Sequence, residues 1–244
     1  MAVTRVKPKL IGENNQYCSG CGHGILNRLV AEVLEELGRA DDAILVTAVG
    51  CACMMNELWQ GDNMQAAHGR APASATAIKR LRPENIVFTY QGDGDLSSIG
   101  IAEILHATAR NEKFTTIFAN NGVFGMTGGQ MAPTTLVGQK TTTTHFGRDP
   151  QFTGMPVKIV ELLATLKPAY LARGSVDSIK NINTTKKYIR NAFEAQIDSE
   201  GFSLVEVLLP CPTNWHLTPE QALERVGSTV EAYYPLGEVV KRGE

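Results

Sequence analysis

Two polar motifs, each preceded by a short apolar run, constrain the fold of this chain more than any other feature. The run Asn85–Tyr90 leads into Gly92–Asp95 (GDGD), and the run Phe114–Ala119 leads into Asn120–Asn121. Both runs have the length and β-prone composition of buried strands, and residues 96–110 between the motifs have helical spacing. Because the carboxyl ends of neighbouring parallel strands open on one crevice, the sequence predicts a strand–helix–strand unit with both motifs at the same edge.

The residue types of the two motifs indicate a metal that binds phosphates. Asp93 and Asn121 offer hard oxygen ligands, the kind that Mg²⁺ takes together with phosphate oxygens. The neighbouring glycines allow the backbone to approach a diphosphate closely. For Asp95 we weigh two roles. It either orients the loop or the cofactor, or, more simply, caps the helix over residues 96–110.

The rest of the chain continues the alternation of apolar strands and helices. Strands are predicted at residues 43–49, 169–172 and 202–209, and helices at residues 25–37, 72–80, 158–166, 178–197 and 220–233. Residues 122–156 form a long loop, which we interpret as active-site cover because it leaves the second strand directly. Residues 54–65 are left unassigned. The predicted fold class is α/β, with a mostly parallel sheet and helices on both faces.

Length and charge exclude several classes of protein. With 244 residues, of which 43% are apolar, the chain fits one large α/β domain around a buried sheet. A net charge of −2 offers no basic face for nucleic acid. No apolar run reaches the roughly 18 residues of a membrane span, and the N-terminus lacks the apolar segment of a signal peptide. We therefore expect a soluble cytoplasmic protein without nucleic-acid or membrane partners.

The five cysteines of such a protein are expected to be metal-bound or free rather than disulfide-bonded. Cys18, Cys21, Cys211 and either Cys51 or Cys53 can supply four thiolates, since most of them follow predicted strands or begin a helix. A CxxC pair alone fits a redox dithiol, half a zinc site or half an iron–sulfur site. Four cysteines fit zinc and a [4Fe–4S] cluster equally well by spacing.

Several stretches resemble the β subunit of the 2-oxoacid:ferredoxin oxidoreductases. They are Tyr17–His23 (YCSGCGH), His68–Ala71 (HGRA), Gly125–Gln130 (GMTGGQ) and Pro210–Thr213 (PCPT). The GDG motif and the two asparagines that follow it after 25 residues also match the thiamine diphosphate signature. The similarity extends over most of the chain, from about residue 17 to residue 214.

The resemblance implies a thiamine diphosphate-binding (diphosphate-domain) fold and a set of ligands. Mg²⁺ would be held by Asp93, Asn121 and the carbonyl of Val123, and a [4Fe–4S] cluster by Cys18, Cys21, Cys51 and Cys211. Cys51 matches the family position better than Cys53. The predicted cofactor-binding residues are Gly50, His68, Gly92, Asp93, Gly94, Asp95, Asn121, Val123, Met126 and Thr127. Residues 1–16 are polar without a clear period and are expected to form an N-terminal arm, followed by the cofactor- and cluster-binding domain (17–214) and a C-terminal extension (215–244).

Three of the residues in these stretches also have simpler interpretations. His23 is either a helix cap or hydrogen-bonding residue behind the site, or a residue near the thiazolium. His68 is expected to face the cofactor diphosphate at the start of a helix, where backbone N–H groups favour anions, or else to be a surface histidine. Met126 is placed by the resemblance near the thiazolium, and core packing is the alternative.

The family reaction is the oxidative decarboxylation of a 2-oxoacid with coenzyme A, giving acyl-CoA, CO₂ and reduced ferredoxin. The chain has no GxGxxG or P-loop motif, so the cluster is the expected electron acceptor. The glutamate that activates thiamine diphosphate usually belongs to a separate pyrimidine-binding domain, for which 244 residues leave no room, so we expect another chain, in this family an α or fused γα subunit, to supply it. A ferredoxin-like δ subunit sometimes joins them.

The substrate and the reaction class have alternatives. The overall resemblance points to 2-oxoglutarate or to branched-chain 2-oxoacids such as 2-oxoisovalerate, with Arg70, Lys140 and Arg148 as candidate partners for a substrate carboxylate. One alternative is a non-oxidative thiamine diphosphate decarboxylase or transketolase-like half. The other is a zinc- or cluster-bearing electron-transfer or scaffolding subunit without thiamine diphosphate.

Overall fold

Seven strands form one sheet in a computed structural model that describes residues 6–243. The strands are β1 (Ala43–Thr47), β2 (Asp62–Gln65), β3 (Ile86–Gly92), β4 (Thr115–Asn120), β7 (Tyr170–Ser175), β8 (Ser203–Leu208) and β9 (Gly237–Val240). Their order is β2-β1-β3-β4-β8-β7-β9, and all neighbours are parallel except β7 and β9. A second, two-stranded sheet joins β5 (Val123–Phe124) to β6 (Gln130–Met131).

Helices cover both faces of the large sheet. They are α1 (His23–Glu36), α2 (Met55–Leu58), α3 (Ala71–Leu81), α4 (Ile101–Ala109), α5 (Pro150–Thr153), α6 (Ile159–Ala164), α7 (Ile179–Ile197), α8 (Pro212–Trp215), α9 (Pro219–Arg225) and α10 (Glu231–Tyr233). Phe88 and Tyr90 of β3 belong to the core beneath α1 and α7, whereas Val87 belongs to the core beneath α3, α4 and α6. Burial on both faces explains the continuous apolar runs. The predicted fold class is confirmed.

Several local predictions differ from the structure, and the long loop predicted over residues 122–156 also contains β5, β6 and α5. Residues 54–65, left unassigned, contain α2 and the edge strand β2, whose four residues are all exposed and so have no apolar pattern. The predicted helix over residues 96–110 opens with a π-helical turn, Asp95–Ile99. The N-cap interpretation of Asp95 is wrong, because Gly94 precedes this turn and no side chain caps it. Such π-helical turns occur frequently at functional sites.

The predicted N-terminal arm and C-terminal extension can be compared with the structure only in part. Residues 1–5 of the predicted arm lie outside the described residues. Within the predicted C-terminal extension, helical residues 219–233 lead into β9, which pairs with β7 and so belongs to the main sheet. Tyr234, between them, is buried in a small cluster with Leu136 and Leu208. In the described part of the chain, no helix is long and apolar enough to cross a membrane.

The long loop after β4 is organised around one buried arginine. The Arg148 side chain donates to six backbone carbonyls, those of Ala132, Pro133, Thr135, Thr153, Gly154 and Met155. Only 4% of Arg148 is exposed. Its guanidinium therefore stabilises the loop and is not available to a substrate carboxylate.

Candidate cofactor site

A cavity opens at the carboxyl edge of β1, β3 and β4, as the motif positions predict. It is lined by His23, Val49, Gly50, Cys51, Ala52, His68, Gly92, Asp93, Gly94, Asp95, Asn121, Val123, Phe124, Gly125, Met126 and Thr127. All ten predicted cofactor-binding residues are in this set. Since 44% of Met126 is exposed, its alternative role as a core residue is wrong.

Asp93 is one of two buried aspartates that line the cavity, with 2% of its surface exposed. Its Oδ1 accepts a hydrogen bond from the Gly94 amide (2.8 Å), and its Oδ2 accepts from the Gly122 amide (2.5 Å) and the Thr134 hydroxyl (2.8 Å). Burial nevertheless raises the pKa of Asp93 to about 6, because these donors only partly offset desolvation. A cation in the cavity would favour the ionised form.

The two asparagines after β4 have different environments. Asn121 lines the cavity, and its Oδ1 accepts from the Val123 amide at 3.2 Å. The preceding Asn120 is instead turned into the sheet, where its Nδ2 donates to Glu206 Oε1 at 2.7 Å. Asn120 Oδ1 also accepts from the Gly122 amide (3.2 Å), so it holds the turn that carries Asn121.

Two glycines leave room for a ligand. A Cβ built on Gly50 or on Gly92 would meet no protein atom within 4 Å, so both backbones face open space in the cavity. Gly50 has a φ of +106°, which favours glycine. Gly94 differs, because a Cβ there would lie 2.4 Å from the Phe124 ring. The buried acid, the asparagine and the uncovered glycine backbone therefore fit a metal-bound diphosphate.

His68 and Asp95 form a pair on one side of the cavity. The Nδ1 of His68 contacts Asp95 Oδ1, which also accepts from the Gly69 amide at 2.7 Å. The Oδ2 of Asp95 accepts from Gln91 Nε2 at 2.6 Å. Asp95 therefore orients the loop that carries His68, one of the two roles weighed for it.

His23 is buried between two tyrosines. Its Nδ1 lies 2.6 Å from the Tyr90 hydroxyl, and its ring stacks on Tyr17 with centroids 5.0 Å apart. Burial lowers the pKa of His23 to about 4, so the imidazole is neutral at pH 7. His23 lines the cavity at the start of α1 and hydrogen-bonds Tyr90 behind it, so its position fits both roles weighed for it.

Four cysteines interact with one another and the fifth does not. Burial raises the pKa of Cys51 to about 12, and the charges of Cys21, Cys211 and Cys18 raise it further. Burial likewise raises the pKa of Cys21 to about 11, with Cys211 and Cys18 adding to the effect. Burial also raises the pKa of Cys53, but no other cysteine contributes. A Cβ built on Gly125 would lie 3.2 Å from Cys51 Sγ and 3.5 Å from Asn214 Nδ2, which donates to Cys211 Sγ. Of the two alternatives, Cys51 is therefore the one close to the other thiols.

The cysteine-bearing loops pack against each other at the edge of the cavity. The Gly22 amide donates to the Pro210 carbonyl at 3.2 Å, and Cys211 Sγ accepts from Asn214 Nδ2 at 3.4 Å. Cys51 itself lines the cavity. Over residues 6–243, no three His, Cys, Asp or Glu side chains lie close enough to hold one metal ion.

The substrate cations proposed from the sequence lie elsewhere. Arg70 pairs with Glu103, and Arg148 is buried in the loop. Lys140 lines a different cavity, together with Trp215 and Arg225. None of the three is among the described residues that line the cavity. Sequence reasoning also missed Thr134, which is distant in sequence and lies in a threonine-rich loop without a motif.

The raised pKa of Asp93 makes a prediction about the ligand-free protein. A carboxyl whose pKa is higher in the folded state stabilises the fold below about pH 4 and loses that contribution as the pH rises through about 6. Relative to Asp93→Asn, the wild type should lose about 3 kcal/mol of unfolding free energy across this range. Urea unfolding of both proteins from pH 4 to pH 7.5 measures the difference. A difference that does not change with pH would contradict the buried-acid assignment.

Comparisons with known proteins agree with this geometry. The family model described as thiamine pyrophosphate enzyme, C-terminal TPP binding domain, matches residues 48–207. Ketoisovalerate oxidoreductase subunit VorA of Methanothermobacter thermautotrophicus is 46% identical over 221 residues, which are 90% of this chain and 46% of the relative. 2-Oxoglutarate synthase subunit KorB of Methanocaldococcus jannaschii is 36% identical over 199 residues, 81% of this chain and 69% of the relative.

A solved structure extends the similarity to the whole fold. The 2-oxoglutarate:ferredoxin oxidoreductase from Magnetococcus marinus, solved with 2-oxoglutarate, coenzyme A and succinyl-CoA bound, aligns with a TM-score of 0.79 at 26% identity. The alignment covers 99% of this chain and 87% of that chain. The present chain spans about half (46%) of the length of the VorA relative. The chain thus belongs to the thiamine pyrophosphate enzymes and, among them, to the VorA- and KorB-type subunits of the 2-oxoacid:ferredoxin oxidoreductases.

Proposed function

We propose that this chain is the thiamine diphosphate- and cluster-binding β subunit of an enzyme that oxidatively decarboxylates a 2-oxoacid. Coenzyme A takes up the acyl group, and ferredoxin takes up the electrons. One observation carries the proposal: Cys51 lines the same cavity as Asp93 and Asn121. A diphosphate anchor and a cysteine of a four-cysteine group therefore share one site, as a reaction that sends electrons from a cofactor to a cluster requires.

The chain's own residues would anchor the cofactor by its diphosphate. Asp93, Asn121 and the carbonyl of Val123 are the proposed Mg²⁺ ligands, and Gly50 and Gly92 leave the space that the diphosphate needs. His68, oriented by Asp95, is proposed to face the diphosphate. Bound thiamine diphosphate supplies the carbon nucleophile and the electron sink for loss of CO₂.

Cys18, Cys21, Cys51 and Cys211 are the proposed ligands of a [4Fe–4S] cluster. A zinc site would need four sulfurs within about 2.3 Å of one ion. Cys51 lines the same cavity as the proposed diphosphate ligands, and a cluster can accept electrons from the cofactor whereas Zn²⁺ cannot, which favours a cluster over zinc. Because burial raises the pKa of Cys21 and Cys51, these thiols are protonated in the absence of metal and must lose protons when the cluster binds.

Replacing Gly92 by alanine should weaken cofactor binding without disturbing the fold. The added Cβ meets no protein atom within 4 Å, but it enters the space assigned to the diphosphate. We expect Gly92→Ala to lower thiamine diphosphate affinity about tenfold or more, since a clash in a close-packed contact costs about 1–3 kcal/mol. Calorimetric titration with Mg²⁺ present measures the affinity. The control is the melting temperature of Gly92→Ala, which should equal that of the wild type because the added Cβ meets no protein atom. If Gly92→Ala and the wild type bound thiamine diphosphate with equal affinity, the assigned position of the diphosphate would be wrong.

A partner chain is proposed to complete the site. Among the described residues, the only carboxylates that line the cavity are Asp93 and Asp95, and both are engaged in the hydrogen bonds given above. The acid that activates the cofactor would come from an α or fused γα subunit, with a ferredoxin-like δ subunit in some assemblies. VorA and KorB are themselves named as subunits.

The long loop offers an apolar surface for this partner. Phe146 is fully exposed and Phe152 is 83% exposed, although the buried Arg148 between them in sequence holds the loop at residues 132–135 and 153–155. Phe146→Asp and Phe152→Asp should therefore weaken co-purification with the α subunit. Leu81 is similarly exposed (79%) and ends α3, just before the amino end of β3 and so away from the carboxyl edge that carries the cavity. Leu81→Asp should therefore leave co-purification unchanged. Equal losses for the loop variants and for Leu81→Asp would argue against this interface.

Among substrates, a branched-chain 2-oxoacid is favoured over 2-oxoglutarate. The ketoisovalerate-type relative is 46% identical and the 2-oxoglutarate-type relative 36% identical. No described cation lines the cavity, and Val49, Phe124 and Met126 make part of it apolar. We expect kcat/KM for 2-oxoisovalerate to exceed that for 2-oxoglutarate by about tenfold or more, because the second carboxylate would lack a partner in this chain.

The complex isolated without oxygen tests the proposal directly. We expect iron, acid-labile sulfide and thiamine in the complex, a visible spectrum that bleaches on addition of the 2-oxoacid with coenzyme A, and reduction of ferredoxin. A complex with thiamine but no iron would favour a non-oxidative decarboxylase or transketolase-like role. A complex that fails to bind thiamine diphosphate with Mg²⁺ would favour an electron-transfer or scaffolding subunit.

A further inference from the structure

The carboxylate of Asp93 is held by a residue of the long loop. The hydroxyl of Thr134 donates to Asp93 Oδ2 at 2.8 Å, and Thr134 itself is 1% exposed. Thr134 does not line the cavity, so it contacts the proposed metal ligand from behind. A hydroxyl in that position restricts rotation of the carboxylate without competing for a ligand in the cavity.

Thr134 is in turn held by the C-terminal part of the chain. The Tyr234 hydroxyl donates to the Thr134 carbonyl at 2.9 Å and is also 3.2 Å from the Val157 carbonyl. Tyr234 is 1% exposed, and the Arg173 guanidinium lies over its ring at 5.3 Å from the centroid. Tyr234, three residues before β9, therefore holds the segment that carries Thr134 in place.

A second set of contacts reaches the same oxygen of Asp93. Arg173 Nε donates to Glu206 Oε2 at 2.7 Å, and Glu206 Oε1 accepts from Asn120. Asn120 Oδ1 accepts from the Gly122 amide, which is also the second donor to Asp93 Oδ2. The two donors to Asp93 Oδ2 are therefore both linked to Arg173. Thr134 is linked through Tyr234, and the Gly122 amide through Asn120 and Glu206.

We propose that Thr134, supported by Tyr234, is a positioning residue that fixes the Asp93 carboxylate for cation binding. The proposal rests on the function proposed above, and it makes the C-terminal segment part of the cofactor site. A ligand that is already oriented loses less side-chain freedom when the cation binds, so the affinity is higher. Outer contacts of this kind typically change metal affinity by about 10- to 100-fold when they are removed.

The test compares hydroxyl deletions in the full chain assembled with its partner. The readout is the Mg²⁺ concentration that gives half-maximal thiamine diphosphate binding, with the cofactor-free melting temperature measured alongside. We expect Thr134→Val to raise this concentration about tenfold and Tyr234→Phe to raise it about threefold. Thr134→Ser, which keeps the hydroxyl, should remain within about twofold of the wild type.

The neighbouring tyrosine provides a matched control. Tyr233 donates to the Pro156 carbonyl at 3.0 Å, away from Asp93, so Tyr233→Phe should leave the Mg²⁺ requirement unchanged. Wild-type Mg²⁺ dependence in both Thr134→Val and Tyr234→Phe would overturn the inference, as would an equal rise in Tyr233→Phe or Thr134→Ser. If Thr134→Val does not fold, Tyr234→Phe against Tyr233→Phe decides. A wild-type complex that binds no thiamine diphosphate would instead reject the proposed function, and this inference with it.

Discussion

Asp93→Ala is expected to lower the affinity of the assembled enzyme for thiamine diphosphate with Mg²⁺ by about 100-fold or more. Asp93 is the carboxylate at the proposed metal position, and loss of even an outer contact to a metal ligand costs about 10- to 100-fold. Thiamine content of the purified complex and calorimetric titration of the cofactor-free complex both measure the effect. The measured affinity should therefore fall below that of Gly92→Ala, which keeps the charge.

A matched variant separates this effect from a general loss of acidic charge. Asp62 belongs to the exposed edge strand β2, so Asp62→Ala removes the same charge on the same sheet without touching the cavity. Circular dichroism of Asp93→Ala establishes that the sheet has formed. Normal thiamine content in folded Asp93→Ala would rule out the Mg²⁺ assignment.

Cys51→Ser is expected to abolish the cluster and ferredoxin reduction, whereas Cys53→Ser is expected to retain both. The two cysteines are two residues apart, but only Cys51 interacts with Cys18, Cys21 and Cys211. Since a [4Fe–4S] cluster takes four thiolates, loss of one ligand removes the electron path. Iron content, the visible spectrum and the rate of ferredoxin reduction measure the outcome in anaerobically purified complexes.

Cys211→Ser extends the test to the last strand of the cofactor domain. Cys211 follows β8 and lies at the start of α8, so its sulfur approaches the others only through the tertiary fold. We expect Cys211→Ser to keep decarboxylation of the 2-oxoacid but to stop transfer to ferredoxin. Full ferredoxin turnover in Cys211→Ser would exclude it as a ligand, and loss of the cluster in Cys53→Ser would assign the fourth position to Cys53.

The elements that the sequence failed to predict share a physical cause. Strand β2 is exposed along its length, so no apolar alternation marks it. Strand β9 is only partly buried and pairs antiparallel to β7, which a pattern of parallel strands and helices does not indicate. Edge elements of this kind are stabilised mainly by hydrogen bonds to the neighbouring strand, and these bonds are not encoded in the local pattern of side chains.

The site was predictable where its residues follow strands and unpredictable where contacts cross the chain. Gly92, Asp93 and Asn121 were found because parallel strands bring their carboxyl ends together whatever the rest of the sequence does. From the sequence, Arg148 is a possible partner for a substrate carboxylate, yet its side chain donates to six backbone carbonyls of its own loop. The sequence does not distinguish an arginine that binds substrate from one that stabilises a loop, because only burial and hydrogen-bond partners separate the two roles.

By itself, the sequence determined the parallel α/β fold, the edge of the sheet that carries the cavity and the residue types gathered there. These follow from local periodicity and from the geometry of parallel strands, so they need no knowledge of distant contacts. Only the tertiary structure decided that Cys51 rather than Cys53 approaches the other thiols, that Asn120 turns away from the cavity, and that Thr134 supports Asp93. These outcomes depend on side-chain directions and on contacts between segments far apart in the chain, which are set by packing rather than by local pattern.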